Sequence, residues 1–462
     1  MDFQELFAST KNDQAVTRAT LIGVGQFGRT LLAQSGRMPT LELSVLCDLD
    51  LERMIKACKA AGLSDDDYCV VDSKDQAMRA FEIGKTVLSQ DSDIAISVPV
   101  DIVVEATGNP EAGAINAMSA LDQGRHLAMV TKETDSIIGP LLSHRARQAS
   151  LILTQVDGDQ PSLLLGLMSW ARTLGLDVVS GGKASEYDFV FDPETSIVKA
   201  EGLEVSVQVD PSLWLAAGDD MTALIRHRRE TLAAIPQRTP PDFCEMCLVA
   251  NGSGLRPDQP AMHAAIAKPR ELPDIYCPKG DGGVLERRGT LDIFNCFRRT
   301  DEISFAGGVF AVLEVPDEET GRLFKKKGIP VSRNEKYVLV YNPTHLLGVE
   351  APFSLLVAHK LGLSTGSNLV EPVCDMGMLA TEDLAAGTTL TDQGYHHRII
   401  GVDPVLLDHA KLTGDAPLPY FMGINRELTR NIKQGELITR NAVIAPTGSR
   451  LWNLRDEQDR LL

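Results

Sequence analysis

Along the first 150 residues, short apolar runs alternate with stretches of helical spacing. Ala19 to Val24, Leu41 to Cys47, Ile102 to Gly108 and His126 to Thr131 read as strands, whereas Glu52 to Ala61, Asp75 to Ile83 and Glu111 to Gly124 read as helices. That alternation predicts a parallel sheet wrapped by helices. Leu151 to Val156 and Val178 to Lys183 add further strands, with a helical spacing over Leu163 to Leu174 between them. From about residue 190 the pattern weakens into mixed helix and strand, with proline-rich loops at Pro236 to Pro241 and Pro257 to Pro260. The last hundred residues change to short strands and turns. There Asp383 to Thr391 and Asn431 to Thr439 share one pattern: acid or amide, aliphatic, two variable, Gly, two variable, aliphatic, Thr. The glycine of each copy permits a turn with positive φ between short β segments. The fold class expected is α/β: a Rossmann-type dinucleotide-binding domain over 1–160, an α+β substrate and association domain over 161–365, and a β-rich region over 366–462.

The first strand runs into Gly23-Val24-Gly25-Gln26-Phe27-Gly28, the G-x-G-x-x-G pattern. In that motif Gly23 permits the tight turn, Gly25 lets the backbone approach a pyrophosphate, and Gly28 lets the next helix pack close to the strand. The helix N-terminus then faces the phosphates. Asp48 ends the second strand twenty residues after Gly28, where a carboxylate accepts hydrogen bonds from the adenosine ribose and favours NAD over NADP. Arg29 and Arg53 lie near enough in sequence to offer a 2′-phosphate partner. Ala106, Thr107 and Gly108 end another strand and are expected on the nicotinamide side, because ligands bind at the carboxyl edge of open α/β sheets.

Composition narrows the class. The chain has 462 residues, 44% hydrophobic and 23% charged, enough for several domains and sizeable cores. With 45 Lys and Arg against 63 Asp and Glu the formal net charge is −18, which repels a polyanion and argues against nucleic-acid binding. No basic-then-apolar leader and no long uninterrupted apolar span occurs, so a cytoplasmic protein without a membrane partner is expected. The eight cysteines read as reduced thiols. Cys244-Glu245-Met246-Cys247 is a lone C-x-x-C without a second pair of ligands.

Hydride transfer needs a bound nicotinamide, a proton donor or acceptor for the substrate oxygen, and groups that hold the substrate. Lys132, Glu133, Asp157, Asp159 and Lys183 qualify by type, and all follow apolar strands. A lysine flanked by carboxylates can polarise a carbonyl or relay a proton. Asp159, just before Pro161 and an apolar helix, also fits a helix N-cap. Glu133, Asp157 and Asp159 together offer oxygen ligands for a divalent metal, Mg or Mn. His263 and His345, each in a proline-flanked loop, are the candidate histidines.

These residues carry a resemblance. The glycine motif, Val103-Val104-Glu105-Ala106-Thr107-Gly108 and Val130-Thr131-Lys132-Glu133 resemble the cofactor domain of the homoserine dehydrogenase family, and the carboxy-terminal repeat resembles an SAF domain. The combination is similar to the deoxyxylulose-phosphate reductoisomerase-like enzymes, with Gly158-Asp159, Pro161-Ser162, Gly182-Lys183, Asn251, Met262-His263, His345-Leu346 and Glu350 at positions expected of that group. The resemblance implies an NAD(P)-dependent oxidoreductase acting on a small hydroxy or keto compound, assembled as a homo-oligomer such as a dimer. The reductoisomerase reaction itself implies NADPH and a divalent metal. Asp48 and the acids Glu186 and Asp188 after Lys183 depart from what a 2′-phosphate and a phosphosugar would prefer. A nucleotide-responsive regulatory protein that has lost catalysis is the expectation from another class.

Overall fold

A computed structural model describes residues 2–8, 16–207, 220–394 and 396–462. The chain forms two compact units rather than three consecutive blocks. Met1–Ser162, Leu346–Pro372 and Ala445–Leu462 make the first, and Leu163–His345 with Val373–Ile444 make the second. The two returning segments join the first unit because their apolar residues complete its interior: Ala351, Leu355 and Ala358 enter the core built on β1, and Leu451, Trp452 and Leu454 are buried. Local periodicity shows that such a segment has an apolar face, but not which core that face joins.

The first unit holds a seven-stranded sheet of β1 (Thr17–Ile22), β2 (Leu41–Cys47), β3 (Tyr68–Val70), β4 (Thr86–Ser89), β5 (Ile102–Glu105), β6 (His126–Met129) and β7 (Leu153–Gln155), all parallel, in the order 3-4-2-1-5-6-7. Helices α1 (Phe3–Ala8), α2 (Gln26–Ser35), α3 (Leu51–Ala60), α4 (Lys74–Glu82), α5 (Ser92–Ser97), α6 (Pro110–Asp122) and α7 (Lys132–Gln148) accompany it. Strands β3 and β4, three and four residues long, are not among the runs read from the sequence. Strand order reverses beside β1, where Ile22 lies opposite both Cys47 and Glu105. The turns that follow these three strands therefore leave the sheet at one edge, the switch point where a doubly wound fold binds its ligand.

Helix α7 contains Pro140, which has no N–H to donate and crowds the carbonyl of the preceding turn. The carboxy-terminal helix, Arg450–Leu461, bonds α7 next to this point. Gln458 accepts from Leu141 N–H at 3.0 Å and donates to Ile137 C=O at 3.2 Å. Those two groups are the i, i+4 pair next to Ser136 and Pro140, so the Gln458 amide braces the helix beside the proline. A region read from sequence as β-rich thus ends in a helix whose buried side chains serve the first unit.

The second unit is built on a mixed nine-stranded sheet. Its path runs β11 (Leu203–Ser206), β10 (Ile197–Ala200), β9 (Phe189–Asp192), β14 (Thr290–Arg299), β8 (Val178–Ala184), β15 (Val309–Glu314), β16 (Tyr337–Asn342), with β12 (Arg256–Pro257) and β13 (Ala265–Ala267) also pairing with β14. Antiparallel β17 (Cys374–Ala380) and β18 (Val402–Asp408) follow. The repeat in this region is a structural pair. Leu384 and Ile432 exchange both backbone hydrogen bonds, at 2.9 and 2.8 Å. Asn431 accepts from Ala386 N–H and Asp383 from Gln434 N–H, each side chain reaching the fourth position of the other copy. Gly387 and Gly435 both have positive φ, 85° and 81°. Among the described residues no helix is long and apolar enough to cross a membrane.

Gln458→Leu keeps volume but removes the side-chain acceptor of Leu141 N–H and one of two side-chain donors to Ile137 C=O, which Arg455 also reaches at 3.4 Å. Urea unfolding of this variant is expected to show a loss of about 2 to 4 kcal/mol, and an unchanged midpoint would show that Gln458 does not support α7.

Candidate functional site

The glycine turn of the first unit is shaped by close backbone approach. Gly23 has φ 98°, and a Cβ there would lie 2.2 Å from the Ala106 carbonyl oxygen. A Cβ on Gly28 would lie 2.3 Å from the Gly23 carbonyl oxygen, so only glycine lets α2 start this near the strand. Gly25 differs: a Cβ would meet nothing within 4 Å, which leaves an open cradle in front of the first turn of α2. That turn carries no acidic residue. An empty cradle, unpaired helix N–H groups and the positive end of the helix dipole fit a pyrophosphate.

Asp48 is held on both oxygens. Oδ2 accepts from Val24 N–H at 2.7 Å and Oδ1 from Asp50 N–H at 2.9 Å, with Arg53 Nη1 3.5 Å away. The carboxylate therefore braces the glycine turn besides lining a cleft of 890 Å³ with Gly23, Arg53, Thr107, Asn109 and Glu111. Each carboxylate oxygen keeps acceptor capacity for a ribose hydroxyl. Thr107 is fixed from beneath by Glu105, whose Oε1 accepts from the Thr107 hydroxyl at 2.6 Å. Burial pushes the Glu105 pKa up, against hydrogen bonds from Thr107, Thr131 and Asn116. Gly108 N–H donates to Thr131 Oγ1 at 3.0 Å, tying this turn to the start of α7.

Lys132, which the sequence places at a strand end, is the first residue of α7, and Glu133 follows it in the first helical turn. Lys132 Nζ lies 3.3 Å from Asp159 Oδ1, with the lysine about a quarter exposed and the acid buried. These two expected site residues do meet. Asp159 also accepts from Gln160 N–H at the start of α8 (Gln160–Thr173), so its cap and ion-pair roles coexist. Asp157 turns elsewhere: Oδ1 accepts from Ser162 Oγ at 2.6 Å, and its own N–H donates to Ser354. Burial raises its pKa, Ser162 counteracts this, and Glu350 raises it further. Glu133, Asp157 and Asp159 are not gathered as a ligand set. The one such carboxylate group among the described residues is Glu186, Asp242 and Glu245 of the second unit.

Lys183 sits inside that second group. Its Nζ is 3.0 Å from Glu186 Oε1, 2.9 Å from Asp242 Oδ1 and in contact with Glu245. Burial alone would disfavour the ammonium, but the three carboxylates overcome it and hold the Lys183 pKa well above the ordinary lysine value. It is a fixed cation and hydrogen-bond donor, not a base. Asp242 and Glu245 escaped the sequence reading, though their i, i+3 spacing at the start of α10 (Pro240–Ser253; α9 being Met221–Thr231) puts both on one helix face. Because the ammonium already occupies the centre of these oxygens, a divalent cation does not fit the group as built. Cys244 and Cys247 are buried thiols on the same helix and join no ligand group.

His263 hydrogen-bonds Asp258 at 3.0 Å through Nε2, while its N–H and that of Ala264 donate to buried Asp292. Met262 and Ala264 on either side hold left-handed φ of 48°, a strained turn fastened by charges. His345 is half-buried just beyond β16.

Asp135, one turn along α7 from Lys132, is a further group the sequence does not reveal. It is fully buried, its Oδ2 accepts from Gln155 at 3.0 Å, and burial pushes its pKa to about 6 despite that bond. An unfolded aspartate titrates near 3.9, so the fold prefers the protonated form; its contribution is complete below about pH 4 and disappears as the pH rises through 6, roughly 3 kcal/mol in all. Asp135→Asn is expected to flatten the fall in urea midpoint between about pH 4 and 6 and to raise stability at neutral pH. An unchanged pH profile would place the proton elsewhere.

Residues 239–351 match the family model described as the catalytic domain of the oxidoreductase DRL. No curated protein sequence is significantly similar to the chain. Among solved structures, similarities include a DOX-P reductoisomerase in complex with magnesium (17% identity over 37% of this chain and 46% of that one, TM-score 0.28). A probable dehydrogenase from Thermotoga maritima (13%, 39% and 48%, TM-score 0.27) and biliverdin reductase with biliverdin and NADP+ from Synechocystis sp. PCC 6803 (17%, 38% and 47%, TM-score 0.25) are also similar. The matches span about half the length of these structures, and at such scores they carry no argument about substrate or mechanism. A dinucleotide-type sheet in the first unit and an oxidoreductase catalytic-domain segment, lying mostly in the second, support the same class, an NAD(P)-dependent oxidoreductase.

Proposed function

We propose that this protein is an NAD(P)-dependent oxidoreductase that transfers hydride to or from a small polar hydroxy or keto substrate, related to the homoserine dehydrogenase-like proteins with an SAF-like carboxy-terminal region. The observation that carries the reading is the side-chain-free cradle at Gly25, set between glycines that admit no Cβ and bordered by a cleft that contains Asp48. The N–H groups of Gln26, Phe27 and Gly28 would hold the pyrophosphate, and Asp48 the adenosine ribose, which favours NAD. Ala106, Thr107 and Gly108 would border the nicotinamide side. The dinucleotide, when bound, supplies the hydride acceptor or donor.

Within the chain, Lys132 is the group suited to the substrate oxygen. Asp159 orients its ammonium, and partial exposure leaves the ammonium protons able to reach a ligand. A donor held there stabilises negative charge developing on an alkoxide oxygen. Lys183, charged and immobile, would act within the second unit by holding Glu186, Asp242 and Glu245 in place. A cytoplasmic homo-oligomer, with a dimer the simplest form, completes the proposal. The reductoisomerase reaction is the rival. It would need a metal held otherwise than by Glu186, Asp242 and Glu245 as built, and its signature would be Mg- or Mn-dependent conversion of 1-deoxy-D-xylulose 5-phosphate with NADPH.

Titration by NADH and NADPH fluorescence tests the reading. Tight NADH with weaker NADPH is expected, and failure of both to bind would remove it. Gly25→Ala, whose Cβ meets no neighbour, is expected to fold normally yet bind about a hundredfold more weakly. Lys132→Met should lower kcat by about 100- to 1000-fold on the true substrate with dinucleotide affinity unchanged; full turnover would exclude Lys132 from the chemistry. Lys183→Ala at full turnover would likewise exclude Lys183.

A further inference from the structure

One wall of the 890 Å³ cleft is the first two turns of α6 with their cap, through Asn109, Glu111, Ala112, Ile115 and Asn116. Asn109 caps this turn by accepting from the N–H groups of Glu111 and Ala112. The Glu111 carboxylate is engaged by the carboxy-terminal helix. It accepts from Ser449 Oγ at 2.6 Å, from Arg450 N–H at 2.5 Å and from Leu451 N–H at 3.4 Å. A carboxylate taking the first free N–H groups of a helix is favourable both as a cap and toward the helix dipole. Ser449 in turn accepts from Trp452 N–H, so cap and carboxylate form one unit. Across the cleft side, Asn116 donates to Glu105, which fixes Thr107. A continuous set of hydrogen bonds and one rigid helical turn thus runs from Ser449 to the nicotinamide-side turn, all within the first unit.

We infer that Glu111 is a positioning residue for the dinucleotide cleft: its capture of the carboxy-terminal helix sets the first turn of α6 and thereby the affinity for the cofactor. The inference rests on the dinucleotide reading above. It gives the carboxy-terminal helix a role beyond bracing Pro140, and it separates the two ends of that helix, Ser449 acting on the cleft and Gln458 on α7.

The test is a double-mutant cycle read by NADH fluorescence titration on the full chain, with thermal unfolding measured alongside. Ser449 does not line the cleft, so Ser449→Ala acts on affinity through the joint of Glu111 with the carboxy-terminal helix and not by touching the cofactor. Glu111→Gln and Ser449→Ala are each expected to raise the Kd about three- to tenfold, and the double variant no further than the weaker-binding single one. Gln458→Leu is expected to lower the Tm while leaving the Kd unchanged. A wild-type Kd in Ser449→Ala, effects that multiply in the double variant, or an equal rise in Gln458→Leu would each overturn the inference. Absence of binding by the wild-type protein would instead remove the dinucleotide reading, and this inference with it.

Discussion

The constraint on which the first unit depends is the approach of one backbone to another at Gly23. The carbonyl of Ala106 occupies the space a side chain would need, so β1 and β5 can end side by side with their following turns in contact. Gly28 repeats the condition one turn into α2. Removing side chains at two points creates a third, Gly25, where nothing fills the vacated volume. The cradle is therefore a by-product of tight packing elsewhere, and its shape is as rigid as the sheet that carries it.

Charge is managed differently in the two units. Around the first unit's sheet edge, Glu105 and Asp135 are buried and Asp157 is half-buried, and loss of solvation raises the pKa of each. In the second unit, Lys183 is buried as a cation because three carboxylates surround it. Removing one member of such a group leaves the remainder uncompensated, which is why a cluster of this kind tolerates substitution poorly whatever its chemical role. His263 belongs to a related device, a strained turn held by Asp258 and Asp292, and its ring is committed to that framework.

The carboxy-terminal helix shows how a distant segment can finish a local structure. Pro140 opens a rung in α7 that the helix itself cannot close. Gln458, more than three hundred residues later, braces the neighbouring pair by accepting from Leu141 N–H and donating to Ile137 C=O. Nothing in the spacing of residues 450–461 announces this partner, because hydrogen bonding between separated segments leaves no periodic trace in either.

The parallel alternation, the glycine turn with Asp48, and the carboxy-terminal repeat were legible in the sequence, since each depends on residues close together in the chain: a β period, a positive φ, a strand-end carboxylate. The meeting of Lys132 with Asp159 followed from the same logic, both leaving adjacent parallel strands at one edge. Tertiary structure decided the rest. It set Asp157 against Ser162, brought Asp242 and Glu245 of one helix around Lys183 of a strand, and folded residues 346–372 and 445–462 into the first unit. Each of those outcomes is a contact between residues far apart in sequence, fixed by which apolar faces share a core and which buried charges must be paired. Short-range pattern states those needs without naming the partner that meets them.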